Sequence, residues 1–183
     1  MKVITQNEVL KELKEGLETK SKCVIVSYTD NQVNYGFDAQ PNFEYCEKHN
    51  IPCVNIGRMG GTFVVNKDDI GFGYITQGIK NEIGIALCDE LTNYLKNKGF
   101  NVTQESNDIL VDGYKVFGWA SYYYKNFDAI YITAHITLSV NLELIQNICT
   151  KPMNKVPKGL NDFGVTRDEV IQFLEDFGEK YGI

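Results

Sequence analysis

The chain is poor in the residues that most often announce a chemistry. It has two histidines, His49 and His135, in 183 residues. No Cys/His cluster surrounds either, so a structural zinc site is not expected. Five cysteines (Cys23, Cys46, Cys53, Cys88 and Cys149) are scattered among apolar runs, with no C-x-x-C pair. Such a set reads as reduced core thiols, so a cytoplasmic location is expected. The opening Met-Lys-Val-Ile turns polar at once, so no signal peptide is expected. No apolar run is long enough to span a bilayer, which predicts no membrane partner. Positive charge is also scarce: 18 Lys and Arg stand against 24 Asp and Glu, a net charge of −6. Nucleic-acid binding needs a basic face, so no nucleic-acid partner is expected, although a local basic pocket stays compatible.

What remains is an ordinary globular composition, 43% apolar and 23% charged. A chain of this length buries a core without disulfides or metals, and one domain over 1–183 is the default. Thr5-Gln6-Asn7-Glu8 has the form of a capping box, and Val9, Leu10, Leu13 and Leu17 follow at helical spacing. This predicts a helix over 6–18. Strands are expected over 23–28 and 51–56, with a short helix opened by Pro41 between them. Residues 62–66 and 70–76 read as a hairpin joined by Lys67-Asp68-Asp69. A helix follows from Ile83 to Leu95, stopped by Gly99. Asp112-Gly113 predicts a tight turn between strands 109–111 and 115–124. Next come a strand over 129–140, a helix over 142–149 and a loop over 151–163. A final helix is opened by a second capping box, Thr166-Arg167-Asp168-Glu169. Hairpins mixed with about four helices make an α+β fold, with a mixed or antiparallel sheet and packed helices.

Two glycine-framed segments carry candidate chemistry. In Gly57-Arg58-Met59-Gly60-Gly61-Thr62, consecutive glycines let backbone N–H groups approach an anion. Arg58 adds a permanent, forked cation. A tight turn with a solvated arginine is the competing reading. In Asn107-Asp108 through Ala120, Lys115 follows the Asp-Gly turn and Gly118 lies three residues on. If Lys115 faces inward beside Gly118, its ammonium can neutralise charge developing on a carbonyl or phosphate oxygen. Asp108 offers a hard ligand for Mg²⁺. An exposed turn lysine is again the competing reading. His135 interrupts an apolar strand, as a pocket residue or a structural one.

The order of these segments resembles the lipoate–protein ligase branch of the biotin/lipoate ligase superfamily. Gly57 to Asn66 is similar to that family's Arg-Arg-x-Ser-Gly-Gly-Gly-Ala-Val-x-His-Asp segment, with Val65 and Asn66 at the last two positions. Residues 107–120 resemble its Asn-Asp-(apolar)-x-Val-x-Gly-x-Lys-(apolar)-x-Gly-x-Ala segment. His135 to Leu142 resembles its His-Gly-Thr-Leu-Leu strand and the Asp-Leu that follows. The resemblance spans about residues 23–180. It implies a class II synthetase-like catalytic domain that activates lipoate or octanoate with ATP and Mg²⁺; unlike the family, no C-terminal accessory domain is expected. The acyl group would pass from the acyl-adenylate to a lysine of a lipoyl carrier domain. By position, Lys115 would be catalytic, and Asn107 and Asp108 would lie near nucleotide and metal. Arg58, Gly60, Gly61, Thr62, Asn66, Gly118, Ala120 and His135 would bind the small-molecule acyl substrate. Trp119 stands where the family usually has a small or polar residue, and a tryptophan facing the acyl tunnel would shorten or block it. Two alternatives stay open: an ATP-independent octanoyl or lipoyl transferase using Cys149 or Lys115, and a non-catalytic ligase-like binding protein.

Overall fold

The computed structural model describes residues 1–56 and 61–183. A seven-stranded sheet runs in the order β1 (Lys2–Thr5), β2 (Ser21–Ser27), β6 (Ile70–Gln77), β10 (Ala129–Ile136), β9 (Tyr114–Tyr124), β8 (Asp108–Val111) and β7 (Val102–Glu105). Its β1–β2 pair is parallel and the other pairs are antiparallel. A second sheet has the order β4 (Cys53–Asn55), β3 (Gln32–Tyr35) and β5 (Thr62–Val65). The mixed α+β class is therefore as the sequence predicts.

The large sheet is two-faced because its strands alternate. One face sends Ile25, Phe72, Ala134, Ile136 and Phe117 against helices α3 (Glu82–Asn97) and α5 (Arg167–Tyr181). Those helices answer with Leu87, Leu91 and Leu95, and with Val170, Leu174 and Phe177. Each such buried side chain contributes roughly 1.5–3 kcal/mol. Both helices start where the sequence predicts, and α3 ends just before Gly99 as expected. Thr166 caps α5, accepting from the Glu169 N–H, while the Glu169 carboxylate accepts from the Thr166 N–H at 2.8 Å. On the opposite face, α1 (Val9–Thr19) covers only the end formed by β1, β2 and β6. The small sheet packs with α2 (Phe43–Lys48) and α4 (Leu142–Ile148) around Val33, Cys46, Val64, Leu144 and Ile148.

Two expectations are corrected here. Residues 62–66 and 70–76 do not form a hairpin: β5 pairs with β3, whereas β6 pairs with β2 and β10. The reason is Asp69, fully buried, whose carboxylate accepts from the N–H groups of Asn66 and Leu138, each at 2.8 Å. Those bonds pull the connector away from a turn and carry the chain from one sheet into the other. The strand expected over 129–140 ends at Ile136. Beyond it, Thr137 donates its N–H to the Val116 carbonyl and Leu138 donates to Asp69.

Candidate active site

Alternation along β9 would send Lys115 to the same face as Phe117 and Trp119. A register shift against β8 prevents this: Ile109 pairs with Phe117, but Leu110 pairs with Lys115, leaving Val116 as the extra residue. Such a bulge re-aims a side chain. Lys115 thereby joins Asp108 and Gly118 on the face not covered by α3 and α5. Its Nζ lies 2.8 Å from Asp108 Oδ1. It also lies 3.1 Å from where a Cβ on Gly118 would be, so any larger residue there would push the tips of Lys115 and Asp108 aside. Gly118 pairs with His135, and Ala120 pairs with Thr133. On the next strand, Gly71 faces His135 and Gly73 faces Thr133. The result is a floor of small residues with Lys115 at one side.

His135 is held over this floor. Its Nε2 lies 2.9 Å from Asp69 Oδ2, the oxygen that also accepts from the Asn66 N–H. Tyr28 meets the His135 ring edge-on at a centroid distance of 6.3 Å, and Phe63 of the small sheet lies 6.2 Å from it. Farther along the same face, under α1, is a small apolar cavity of about 10 Å³. Val9, Leu13, Val24, Val26, Gly73, Ile75 and Tyr131 line it, and Glu12 and Lys22 close one end. Gly73 is two strands across and two residues along from Gly118. This is roughly 12 Å at ~4.8 Å per strand and ~3.4 Å per residue.

Asp108 is the electrostatic centre of the site. Lys155 Nζ lies 2.7 Å from its other oxygen, Oδ2, and 3.1 Å from Glu105 Oε2. Burial pushes the Asp108 carboxyl up, but the ammonium groups of Lys115 and Lys155 outweigh it and hold the pKa below the ordinary value. The same bond to Asp108 raises the Lys155 ammonium. Lys155 arrives on the segment expected to be a plain loop. There Lys115 donates its N–H to the Val156 carbonyl at 2.9 Å, and Lys158 donates to the Lys115 carbonyl at 3.0 Å. This strap brackets Lys115 from both sides. Sequence pattern alone marks neither Lys155 nor Asp69, because each sits in a polar loop with no periodicity.

The other candidates scatter. Arg58 and Gly60 lie outside the described residues. Gly61 is exposed, and the Thr62 hydroxyl donates to the Ala39 carbonyl. Asn66 is buried, with its side chain bonded to Asp69 and accepting from the Asn141 N–H. It supports the connector from within. Asn107 is exposed and uses its carbonyl to accept from the Trp119 N–H. Cys149 belongs to the small-sheet cluster, with Sγ 3.9 Å from the Thr62 carbonyl. Burial pushes its thiol up, which disfavours a nucleophilic thiolate. Trp119 does not project over the floor. Its ring packs against Gly84 of α3, on the other side of the sheet, so the expectation of a blocked tunnel is overturned by strand parity. Among the described residues, no group of three or more His, Cys, Asp or Glu gathers to hold a metal unaided.

Solved structures share this architecture. A Thermoplasma acidophilum protein with bound lipoic acid superimposes with a TM-score of 0.75 at 16% identity, covering 98% of this chain and 84% of the other. Lipoate-protein ligase A bound with ATP gives 0.75 at 16% identity, covering 97% and 82%. A Leishmania major biotin protein ligase in complex with biotinyl-5-AMP gives 0.53 at 14% identity, covering 96% and 70%. At these identities the likeness shows the fold alone. No curated protein matches the sequence significantly. The family model of the lipoyl protein ligase A/B catalytic domain, however, matches residues 16–176. The chain belongs to that family.

Proposed function

We propose that this chain is a lipoate- or octanoate-activating acyltransferase that loads a lipoyl carrier domain. The observation that carries the reading is the placement of Lys115 Nζ against Gly118 and Asp108, beside a glycine-floored face on which the Tyr28 and Tyr131 rings lie over Gly71 and Gly73. A carboxylate oxygen of the acid would attack the α-phosphorus of ATP and expel pyrophosphate. The amine of the carrier lysine would then attack the acyl carbonyl, and AMP would leave with the bonding pair. In both steps negative charge grows on an oxygen that a fixed ammonium can stabilise, an effect worth roughly 10²–10³ in rate per donor. Lys115 is placed for that role. His135, its ring anchored through Nε2 to Asp69, would fix the acyl group beside it. The cavity under α1, which borders Gly73, has room for about one methyl group, so an acyl tail reaching it would have to part the lining side chains.

Magnesium is held by one or two carboxylates together with substrate phosphates. Both Asp108 oxygens are taken, Oδ1 by Lys115 and Oδ2 by Lys155, so Asp108 would hold the ion, and the ion neutralise phosphate charge, only once a bound phosphate draws those ammonium groups away.

The test is direct. Protein, Mg·ATP and either lipoate or octanoate should release pyrophosphate, and a lipoyl domain should gain the acyl mass. Lys115→Ala should slow pyrophosphate release by about 10²–10³-fold. Cys149→Ser should leave it unchanged, against the transferase alternative. No product with lipoate, octanoate or biotin would overturn the reading and favour the binding-protein alternative.

A further inference from the structure

Asp108 carries a different ammonium on each oxygen: Lys115 on Oδ1 at 2.8 Å and Lys155 on Oδ2 at 2.7 Å. Two cations a carboxylate's width apart repel each other unless an anion lies between them. The protein thus builds a paired cation around one internal anion. Nothing in core packing asks for this. The pair is open to solvent, with Lys115 37% and Lys155 27% exposed, and it borders the space left by Gly118. Lys155 is also the only lysine of its strap that reaches the site, among the described contacts. Lys151 donates to the Asp38 carbonyl, and Lys158 lies over the Tyr114 and Phe163 rings. The strap is not free to wander, because the backbone of Lys115 holds it through an N–H and a carbonyl.

We propose that Lys155 is a second phosphate-binding residue of this site, and that Asp108 stands in for the phosphate when no ligand is bound. A phosphate offers two adjacent oxygens as the carboxylate does, with more charge. It would accept from Lys155 and Lys115 together, while the strap keeps its backbone bonds to Lys115. Lysine suits this role as a mobile point charge. Glu105, half-exposed, holds Lys155 near the site in the interval. The inference rests on the reading that the site takes a phosphate-bearing substrate.

Inorganic pyrophosphate is the probe, titrated calorimetrically into the full chain. Lys155→Gln should weaken its binding about 10–100-fold, the range for a lost hydrogen bond to a charged group. Lys155→Arg should keep the affinity within about 3-fold, a charge-assisted bond being retained. Lys158→Gln, on the same strap but facing away, should bind as the wild type does. Equal losses in Lys155→Gln and Lys158→Gln would overturn the proposal in favour of strap integrity. Wild-type affinity in Lys155→Gln would overturn it while leaving the activation reading intact. No binding by the wild type would overturn both.

Discussion

Glu12 holds a charge where water scarcely reaches: its side chain is 4% exposed, between Lys2 and Lys22. Hydrogen bonds from those two ammonium groups draw its carboxyl from an ordinary 4.5 down to about 2. A carboxyl depressed on folding contributes stability that is whole above its unfolded value and lost as pH falls through the folded one. The window is therefore pH 4.5 to about 2. Thermal melts should show Glu12→Gln less stable than the wild type at pH 7, with the gap closing across that window. A gap that persists at pH 2 would contradict the ion-pair account. Site residues were unevenly legible at this scale. Lys115, Gly118 and His135 stand in an ordered series that can be matched to a family. The aim of Lys115 is set by a bulge at Val116, which leaves no mark in residue type. Asp69 and Lys155 act from loops, where polar side chains are the rule.

Among the elements, α3 offers the sharpest test. A Cβ on Gly84 would sit 2.5 Å from Trp119 ring atoms. Alanine in a helix gains about 1 kcal/mol over glycine, whereas overpacking a core costs about 1–3 kcal/mol. A rigid indole gives way poorly, so Gly84→Ala should lower the urea midpoint by a net cost of about 1 kcal/mol. Trp119→Leu in the same chain should shrink the cost, since contacting residues couple. A stabilised Gly84→Ala would mean the ring can move aside. The long helices α3 and α5 were readable because burial repeats along them and capping residues mark their ends. The strands β1, β3 and β7 were not, since each is four residues long and β1 and β7 bury one residue apiece. The false hairpin at 62–76 came from treating neighbours in sequence as neighbours in a sheet, where one buried carboxylate decided otherwise.

For the whole molecule, the site lies between the sheet floor, α1, the small sheet and the strap, so a ligand there ties separate elements together. Any ligand that binds only the folded state stabilises it, by about 2.7 kcal/mol at a hundred times its dissociation constant. For a chain of this size that is roughly 5–11 °C in melting temperature, at about 2–4 °C per kcal/mol. Octanoate with Mg·ATP should raise the midpoint by that much at saturation, and Lys115→Ala should blunt the rise. An unmoved midpoint with every acid tested would count against an acyl site. The sheet also divides the molecule spectroscopically. The chain's one tryptophan, Trp119, is packed on α3, across the sheet from Lys115 and His135. Its emission will track the loosening of the helical layer during unfolding. It should stay nearly silent if a ligand fills the opposite face as proposed, so binding is best followed by heat, mass or an added dye.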